Sequence, residues 1–274
     1  MKFIIKFILI LNIINSAHAL PTYESALDMY DDNDLVYSKL KNIPINAPSR
    51  AKHQWSELRN AYLDIPQTWN SGLPVAFHNS TWVGNQTIRF LEKNKDEPFV
   101  LWSSFPDPHT PFNCPEPWCY MYNPDEVDLP KNPERDFERR PWWHQKTFEG
   151  TPNMPDKNLV KHRAKWSRIF PPEEKELRHL ISNYYGMISL IDHNVGRIMT
   201  SLNELGIAEN TLVVFTADHG ELLGDHGLLL KGPFIYESLL RVGCIMRGPN
   251  IPRNRIIEDP ISTLDIPATF YDYA

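Results

Sequence analysis

The stretch Thr211 to Lys231, TLVVFTADHGELLGDHGLLLK, decides the fold predicted for this chain. It opens with a β-branched, apolar run, residues 211–215, which is typical of a strand buried on both faces of a sheet. Asp218 and His219 follow the strand closely, and open α/β sheets bind ligands beyond the carboxyl ends of their strands. The pair predicts a site for a hard metal ion, with Lys231 in the same glycine-containing loop reaching a bound anion. The same residues also fit a capped strand end with a solvated lysine.

Helices and strands alternate on either side of this stretch. Residues 81–92 show a roughly helical apolar pattern with Ser80 as the N-cap, and Pro98 to Phe105 follows as a short apolar strand. Apolar residues three and four apart predict a long helix from Pro171 to about Leu205. Residues 242–246 form another short, apolar run that predicts a buried strand. This order predicts an α/β fold with parallel strands joined by right-handed crossovers.

The strand that ends at Phe105 leads into a polar loop, PDPHTPF, which contains His109. His109 follows its strand much as Asp218 follows the strand at residues 211–215, so both are predicted at one edge of the sheet. The next segment, residues 113–170, is rich in proline and aromatic residues. Exposed loops are seldom so aromatic, so we expect this insertion to pack on the domain, with part of it lining a substrate cleft as the alternative.

The bulk composition is that of a soluble globular protein large enough to bury a core. The chain has 274 residues, of which 42% are hydrophobic and 23% are charged. Its formal net charge is −6, which argues against a nucleic-acid binder with a basic face. Residues 20–78 are poorly patterned, so an ordered domain is predicted for residues 79–274, with residues 113–170 as an insertion in it.

The N-terminus has the pattern of an export signal. Lys2 and Lys6 accompany an apolar run from Phe3 to Ile14, and Ala17-His18-Ala19 fits a signal-peptidase site. Residues 1–19 are therefore predicted as a signal peptide, and the protein as secreted or exported to an extracellular, lysosomal or periplasmic compartment. The apolar run is short for a bilayer, so we expect no stable membrane span after cleavage; an uncleaved anchor is the alternative.

Export bears on two further features, the sequons and the cysteines. The triplets that begin at Asn79 and Asn85 fit the N-x-S/T pattern of glycosylation, although such triplets also arise by chance. Cys114 and Cys119 lie close together among prolines and fit a local disulfide. A zinc site is disfavoured because no second Cys or His pair has finger spacing. Cys244 lies in an apolar run and is predicted as a core residue.

Four stretches of the sequence resemble the sulfatases of the alkaline-phosphatase-like superfamily. They are PFVLWSSFPDPHTPF, YYGMISLIDHNVGRIMTSLNELGIAENTLVVFTADHG, TADHGELLGDHGLLLKG and RVGCIMRGPNIP. They occur in the family's own order and cover about Ser80 to Ala274, whereas residues 20–78 show little of the resemblance. The resemblance implies a partial α/β fold of this superfamily, a mostly parallel sheet flanked by helices, without its first strands and its C-terminal subdomain.

The resemblance implies hydrolysis of a sulfate ester, such as an aryl sulfate or a sulfated glycan, at a divalent cation that is usually Ca²⁺. Asp218 and His219 then correspond to two metal ligands. His109 corresponds to a histidine that hydrogen-bonds the sulfate or the leaving oxygen, and Lys231 to a lysine that holds the sulfate. A metal, a lysine and an imidazole that are fixed in advance stabilise negative charge as it develops, which is the physical basis of such a site.

The chain departs from the family at the nucleophile. In the family, a strand ending in two adjacent aspartates precedes a C-x-P-S-R motif, whose cysteine or serine becomes the formylglycine nucleophile, and a G-K-W-H-type motif follows. None of these features is found in this sequence. The closest match, Asn46 to Arg50 (NAPSR), has asparagine in place of the cysteine, so formylglycine is not encoded there. We interpret this match as coincidental and predict no nucleophile.

The sequence leaves three functional hypotheses open. In the first, the chain is a piece of a secreted sulfatase that carries about half of the active site and is inactive by itself. In the second, it is a secreted, non-catalytic protein on a degenerate sulfatase fold, which binds a sulfated glycan through residues 113–170. The third keeps the enzyme but changes the ester to a phosphodiester or a phosphonate, because relatives with an Asp-His pair cleave each of these groups.

Overall fold

The computed structural model describes residues 6–12, 68–71, 74–133, 138, 140–142 and 173–274. The strands of this part are β1 (Lys6–Asn12), β2 (Thr68–Ser71), β3 (Val100–Phe105), β4 (Phe112–Pro115), β5 (Thr211–Ala217) and β6 (Cys244–Arg247). Its α-helices are α1 (Asn79–Asn94), α2 (Glu174–Glu204), α3 (Glu237–Leu240) and α4 (Asp265–Tyr273). The match at Asn46 to Arg50, most of residues 20–78 and most of residues 134–170 lie outside the described residues.

The main sheet has the strand order β3-β1-β5-β6. β1 pairs in parallel with β3 and with β5, in agreement with the predicted α/β class and mostly parallel sheet. β6 runs antiparallel to β5, where the sequence predicted a parallel strand, so that prediction was wrong. The only α-helix between β5 and β6 is α3, which has 4 residues. A parallel neighbour needs a crossover of a dozen or more residues that packs on the sheet, usually as a helix.

The central strand, β1, consists of residues that the sequence predicted as the core of a signal peptide. Asn12, at its end, is in register with Phe105 of β3 and with Ala217 of β5. The position of a first strand, which the sequence predicted to be empty, is therefore filled by these 7 residues. The difference has a physical reason, since a short apolar run fits a strand buried between parallel neighbours as well as it fits a signal peptide.

α2, with 31 residues, forms where the spacing of its apolar side chains predicts a helix. Glu173 and Glu176 form a capping box at its start, and Gly206 follows its end with φ +69°, the left-handed conformation of a helix C-terminus. The helix packs with α1, β3 and β5 around one core. Its buried members include Leu91, Phe105, Ile191, Ile198, Leu202 and Val213. No helix of the described ranges combines the length and the apolar character needed to cross a bilayer.

α1 begins one residue before the predicted N-cap. The cap is His78, whose Nδ1 accepts from the backbone N of Ser80 at 3.4 Å. The Ser80 hydroxyl instead donates to the carboxylate of Asp107, in the loop after β3. Ser80 is fully buried, so its hydroxyl makes a tertiary contact rather than the cap that its position in the sequence predicted.

β2 and β4 pair in parallel as a separate two-stranded sheet that packs against α2. Cys114 and Cys119 lie in and just after this sheet as buried, free thiols, so the predicted local disulfide is not formed. They pack with Phe112 and Met187 and behave as small apolar residues. Cys244, in β6, is also a free thiol, and it packs at the edge of another apolar cluster.

Candidate active site

Asp218 and His219 lie just beyond the carboxyl end of β5. His219 Nδ1 is 2.6 Å from Gly220 O, and because a carbonyl oxygen only accepts, Nδ1 donates and Nε2 keeps its lone pair. His219 Nε2 lies 3.9 Å from Asp218 Oδ2, and the two side chains are 27% and 29% exposed. A carboxylate oxygen and an imidazole nitrogen are therefore close enough, and accessible enough, to bind one cation together.

Gly220 fixes this pair against α3. Its backbone N donates to Leu239 O at 2.8 Å. A Cβ at this position would lie 2.0 Å from Ser238 O, a distance that no side chain tolerates. The loop can approach α3 this closely only because residue 220 is glycine, and that approach holds Asp218 and His219 in place.

His109 lies in the loop after β3, and its electrostatics connect it with the loop after β5. Burial lowers the pKa of His109 below its usual value, and the positive charge of Lys231 lowers it further. The charges of His219 and Asp218 also act on His109. His109 Nδ1 donates to Thr110 O at 2.5 Å, while Nε2 is buried without a hydrogen-bond partner among the described residues. Lys231, His219 and Asp218 therefore lie within electrostatic range of His109, whose Nε2 is a buried polar atom without a hydrogen-bond partner among the described residues.

A buried polar network holds the loop that carries His109. Ser80 Oγ donates to Asp107, and His78 Nδ1 is 3.3 Å from Asp107 Oδ2. His78 Nε2 donates to Asn113 O at 3.1 Å, on the far side of the loop. Ser80, His78 and Asp107 are all 7% exposed or less, so the loop after β3 is fastened to the start of α1 on both sides of His109. The sequence analysis did not identify this network.

Glu221 is a second feature of the site that the sequence analysis missed. It follows Gly220, is 9% exposed, and accepts from Leu222 N at 3.0 Å. Burial raises the pKa of Glu221 to about 7, and the positive charge of Lys231 opposes that rise. The pKa of Tyr184, on α2, is raised by burial and by the charges of Glu221 and Asp218. The acidic residue in HGE was the available signal, but nothing in the sequence shows that it is buried.

The loop after Glu221 contains a second Asp-His pair and an unusual backbone. Leu223, His226 and Leu230 have φ of 45°, 53° and 63°, the left-handed region that non-glycine residues seldom enter. His226 stacks on Tyr236 with ring centroids 3.9 Å apart, and its Nε2 is 3.6 Å from Asp225 Oδ2. Strained conformations persist where the surrounding structure holds them, and here the stack and the ion pair contribute to that constraint.

The described residues do not complete a calcium site. Ca²⁺ takes six to eight oxygen ligands. The described part of the chain has no group of three or more His, Cys, Asp or Glu side chains that is able to hold a metal. β1 contributes no carboxylate, because it ends at Asn12 and the first acidic residue of the sequence is Glu24. Asp218 and His219 by themselves therefore do not make up a complete cation site among the described residues.

A model of the sulfatase family matches residues 19–274. The chain belongs to the sulfatase family. The match confirms the resemblance and extends it toward the N-terminus, because it includes residues 20–78, where the sequence analysis found little similarity. The segment from Asn46 to Arg50 lies within the matched span.

Curated relatives of this sulfatase-family chain are considerably longer than the chain. The arylsulfatase of Clostridium perfringens is 30% identical over 223 residues, which are 78% of this chain and 41% of that protein. The extracellular sulfatase SULF-1 homolog of Drosophila melanogaster is 25% identical over 244 residues, which are 87% of this chain and 19% of that protein. The chain therefore spans less than half of the length of either relative.

Solved structures confirm the predicted fold. The phosphonate monoester hydrolase from Silicibacter pomeroyi aligns with a TM-score of 0.60, over 97% of this sulfatase-family chain and 55% of that chain, at 20% sequence identity. A likeness at this level of identity supports the alkaline-phosphatase-like α/β fold and leaves the chemistry to be argued from the site itself.

Proposed function

We propose that this chain carries the anion-holding part of a sulfatase site and that the group it holds is a sulfate ester. The observation that supports this proposal is the Asp218–His219 pair beyond β5, together with the electrostatic influence of that pair and of Lys231 on His109 beyond β3. Lys231 supplies a positive charge for the sulfate, and the His109 imidazole, once it takes up a proton on Nε2, donates to a sulfate oxygen or to the leaving oxygen. Asp218 and His219 are two ligands of a divalent cation, Ca²⁺ in this proposal, whose other ligands are not among the described residues.

We further propose that the chain by itself does not hydrolyse sulfate esters. No formylglycine precursor is encoded, because the sequence contains no C-x-P-S-R motif with a cysteine or a serine at its first position. An oxyanion site without a nucleophile binds the ester but forms no covalent intermediate. Binding of the anion and turnover are therefore separate properties of this chain.

Calorimetry with Ca²⁺ and an aryl sulfate assay on the purified chain test the proposed cation ligands and the proposed lack of turnover. We expect weak calcium binding that Asp218→Asn abolishes, and no release of the phenol above the level of the Lys231→Met chain. Turnover that depends on Lys231 would overturn the proposed inactivity while it supports the sulfatase site. Calcium binding that Asp218→Asn leaves unchanged would overturn the assignment of the cation ligands.

Aryl sulfates and sulfated glycans are the two substrate classes that we propose for this site. The Clostridium relative is an arylsulfatase by name, which supports an aryl sulfate as the first probe. Competition between an aryl sulfate and sulfated or desulfated forms of one disaccharide would show which of the two substrate classes the site prefers. A phosphonate or a phosphodiester that competes better than either sulfate ester would overturn the choice of ester.

We propose a secreted or exported location, supported by the extracellular sulfatase among the relatives. In a eukaryotic source, Asn79 and Asn85 are the proposed glycan acceptors. Asn79 is the first residue of α1, and Asn85 lies further along the same helix, where its Oδ1 accepts from Arg197 Nη2 at 2.7 Å. A shift in mass after treatment with peptide N-glycosidase, absent in the Asn79→Gln/Asn85→Gln chain, would support modification; an unchanged mass would contradict it.

A further inference from the structure

A pocket between α1, α2 and the turn after β4 lies apart from the candidate active site. It has a volume of about 390 Å³, within the size range of small-molecule sites. The polar and aromatic side chains that line it are Thr81, Asn85, Trp118, His193, Asn194 and Arg197. Among the described residues that line this pocket, which we call the Arg197 pocket, none is acidic.

The side chain of Arg197 is held in place by two amide groups. Its Nη1 donates to Asn194 Oδ1 at 2.9 Å, and its Nη2 donates to Asn85 Oδ1 at 2.7 Å. Asn194 is fully buried and is itself oriented, because its Nδ2 donates to Leu190 O at 2.9 Å. The guanidinium is thus fixed by neutral acceptors, and no carboxylate of the described chain pairs with it. A guanidinium has five N–H donors, so three remain after these two bonds.

The crossing of α1 and α2 leaves room for the Asn194 side chain that accepts from Arg197. A Cβ on Gly84 of α1 would lie 2.5 Å from Asn194 Oδ1, the oxygen that accepts from Arg197. Glycine at this position lets the oriented amide lie between the two helices. With its oxygen committed to Arg197, Asn85 has its NH₂ group left as a donor at the pocket wall. The site therefore presents a fixed positive charge and a second donor group from one wall.

The other wall is aromatic. Trp118 and His193 line the pocket with ring centroids 5.3 Å apart and ring planes inclined at 46°. Flat, largely apolar surfaces of this kind pack against the face of a ring-shaped ligand, while the guanidinium binds its charged group. Arg197 is thirteen residues beyond Tyr184 along α2, which is about 20 Å of helix axis, so the pocket is remote from the site at Asp218.

We propose that the Arg197 pocket is a binding site for a small oxyanion, a sulfate or a carboxylate carried by a molecule of up to sugar size. The guanidinium binds the anion, with Asn85 Nδ2 and Thr81 Oγ1 as neutral donors, and the Trp118–His193 wall contacts the remainder of the molecule. This site is independent of the proposed sulfatase activity, because it shares no residue with Asp218, His219, His109 and Lys231.

Equilibrium dialysis with labelled inorganic sulfate tests the proposal. The full chain is produced without glycosylation, since a glycan on Asn85 would lie at the pocket wall, and it carries Lys231→Met to remove sulfate binding at the candidate active site. We expect this chain to bind one sulfate at low ionic strength. Arg197→Met added to it should weaken the affinity at least tenfold, because the charge and the three remaining donors are lost.

The matched control is Arg89→Met, which removes the same charge from an exposed position on α1. An equal loss in Arg197→Met and Arg89→Met would overturn the proposal, because it would reflect general charge attraction. No sulfate binding in the Lys231→Met chain would also overturn it. If Arg197→Met does not fold, Thr81→Val keeps the helix contact and should still weaken sulfate binding, by about threefold, through the loss of one neutral hydrogen bond; unchanged affinity in that variant counts against the site.

Competition identifies the kind of molecule that the pocket accepts. Glucuronate that displaces sulfate, with glucose inactive, supports a sugar-borne carboxylate as the ligand. Displacement by inorganic anions alone supports a free oxyanion. Displacement by glucose as well as by glucuronate would overturn the role of Arg197, because a neutral sugar has no group for its charge.

Discussion

At the scale of single residues, Glu221 is a buried carboxyl group that interacts electrostatically with Lys231. Burial raises the pKa of Glu221 to about 7, whereas the same carboxyl group in the unfolded chain has its ordinary pKa of 4.5. The folded state therefore holds the proton more tightly than the unfolded state. Its contribution to stability is greatest below pH 4.5 and is lost as the pH rises toward 7, because the buried carboxyl group then ionises.

Glu221→Gln should remove this dependence on pH. We expect the variant to be more stable than the parent at pH 8, by up to about 3 kcal/mol, and close to the parent at pH 4.5. Urea unfolding at both pH values, with a chelator present, measures the difference. Glu97→Gln, in the exposed turn after α1, is the control and should change neither midpoint. The same shift at both pH values in Glu221→Gln would contradict the explanation by ionisation.

The cysteines give a second test at this scale. Burial raises the pKa of Cys119 to about 11 and raises the pKa of Cys114 as well, so both thiols are mostly protonated at neutral pH. At pH 8 a thiol with a pKa of 11 is thiolate in about one molecule in a thousand.

We expect Cys114 and Cys119 to react slowly with a disulfide reagent at pH 8 in the native chain, and all three cysteines to react at once after unfolding in denaturant. Cys244, which is half-buried, should be the first to react. A thiol titration, followed by mass spectrometry of the alkylated chain, measures this order. A titre of one thiol in unfolded, unreduced protein would show that the disulfide predicted from the sequence does form.

At the scale of secondary structure, the sequence predicts well that α2 is a helix, but it does not predict how α2 packs. Two of its glycines illustrate the difference. A Cβ on Gly186 would lie 2.5 Å from Trp118 O and 2.7 Å from Cys114 Sγ, whereas a Cβ on Gly196 would meet nothing within 4 Å. The first glycine is required by the contact with the turn after β4, and the second is not.

Gly186→Ala and Gly196→Ala therefore form a matched pair with opposite expected effects. Gly196→Ala should raise the free energy of unfolding by about 0.5–1 kcal/mol, because alanine favours the helix. Gly186→Ala should lower it by about 1–3 kcal/mol, because the added methyl group forces the turn away from α2. Chemical denaturation of both variants checks the signs. Stabilisation by both would show that the turn does not pack on α2 as described.

At the scale of the whole molecule, β1 connects the two halves of the main sheet. It is the only described strand that pairs with β3, and through it β3, which leads to His109, is joined to β5, which leads to Asp218. Removal of residues 1–19 as a signal peptide would remove β1 and leave the facing edges of β3 and β5 unpaired. A given chain can therefore either lose residues 1–19 by cleavage or form this sheet, but it cannot do both.

Deletion of residues 1–19 should make the chain aggregate, while deletion of residues 2–5, which precede β1, should leave it soluble. Size-exclusion chromatography and the soluble yield of each form measure the outcome. N-terminal sequencing of exported protein gives the independent test. A soluble, folded protein that begins at residue 20 would contradict a structural role for β1 and support the signal peptide.

The local elements and the residue types of the site follow from the sequence. Helical spacing over α2 and the apolar runs of β3 and β5 identify these elements, because periodicity reports which side chains are buried. Asp218, His219 and His109 lie just after strands, where sheets of this class place ligands, and Lys231 lies further along the loop after β5. The absence of a C-x-P-S-R motif, on which the prediction of no nucleophile rests, is likewise read from the sequence alone.

Properties that depend on residues distant in the sequence were decided by the tertiary structure. The pairing of Lys6–Asn12 between β3 and β5, the antiparallel direction of β6, and the burial of Glu221 depend on neighbours far along the chain. The Arg197 pocket likewise needs α1 and α2 to cross at Gly84. The sequence determines these features too, but only through the packing of the whole chain, because a local pattern records whether a side chain is apolar and not which strand, helix or charge will lie against it.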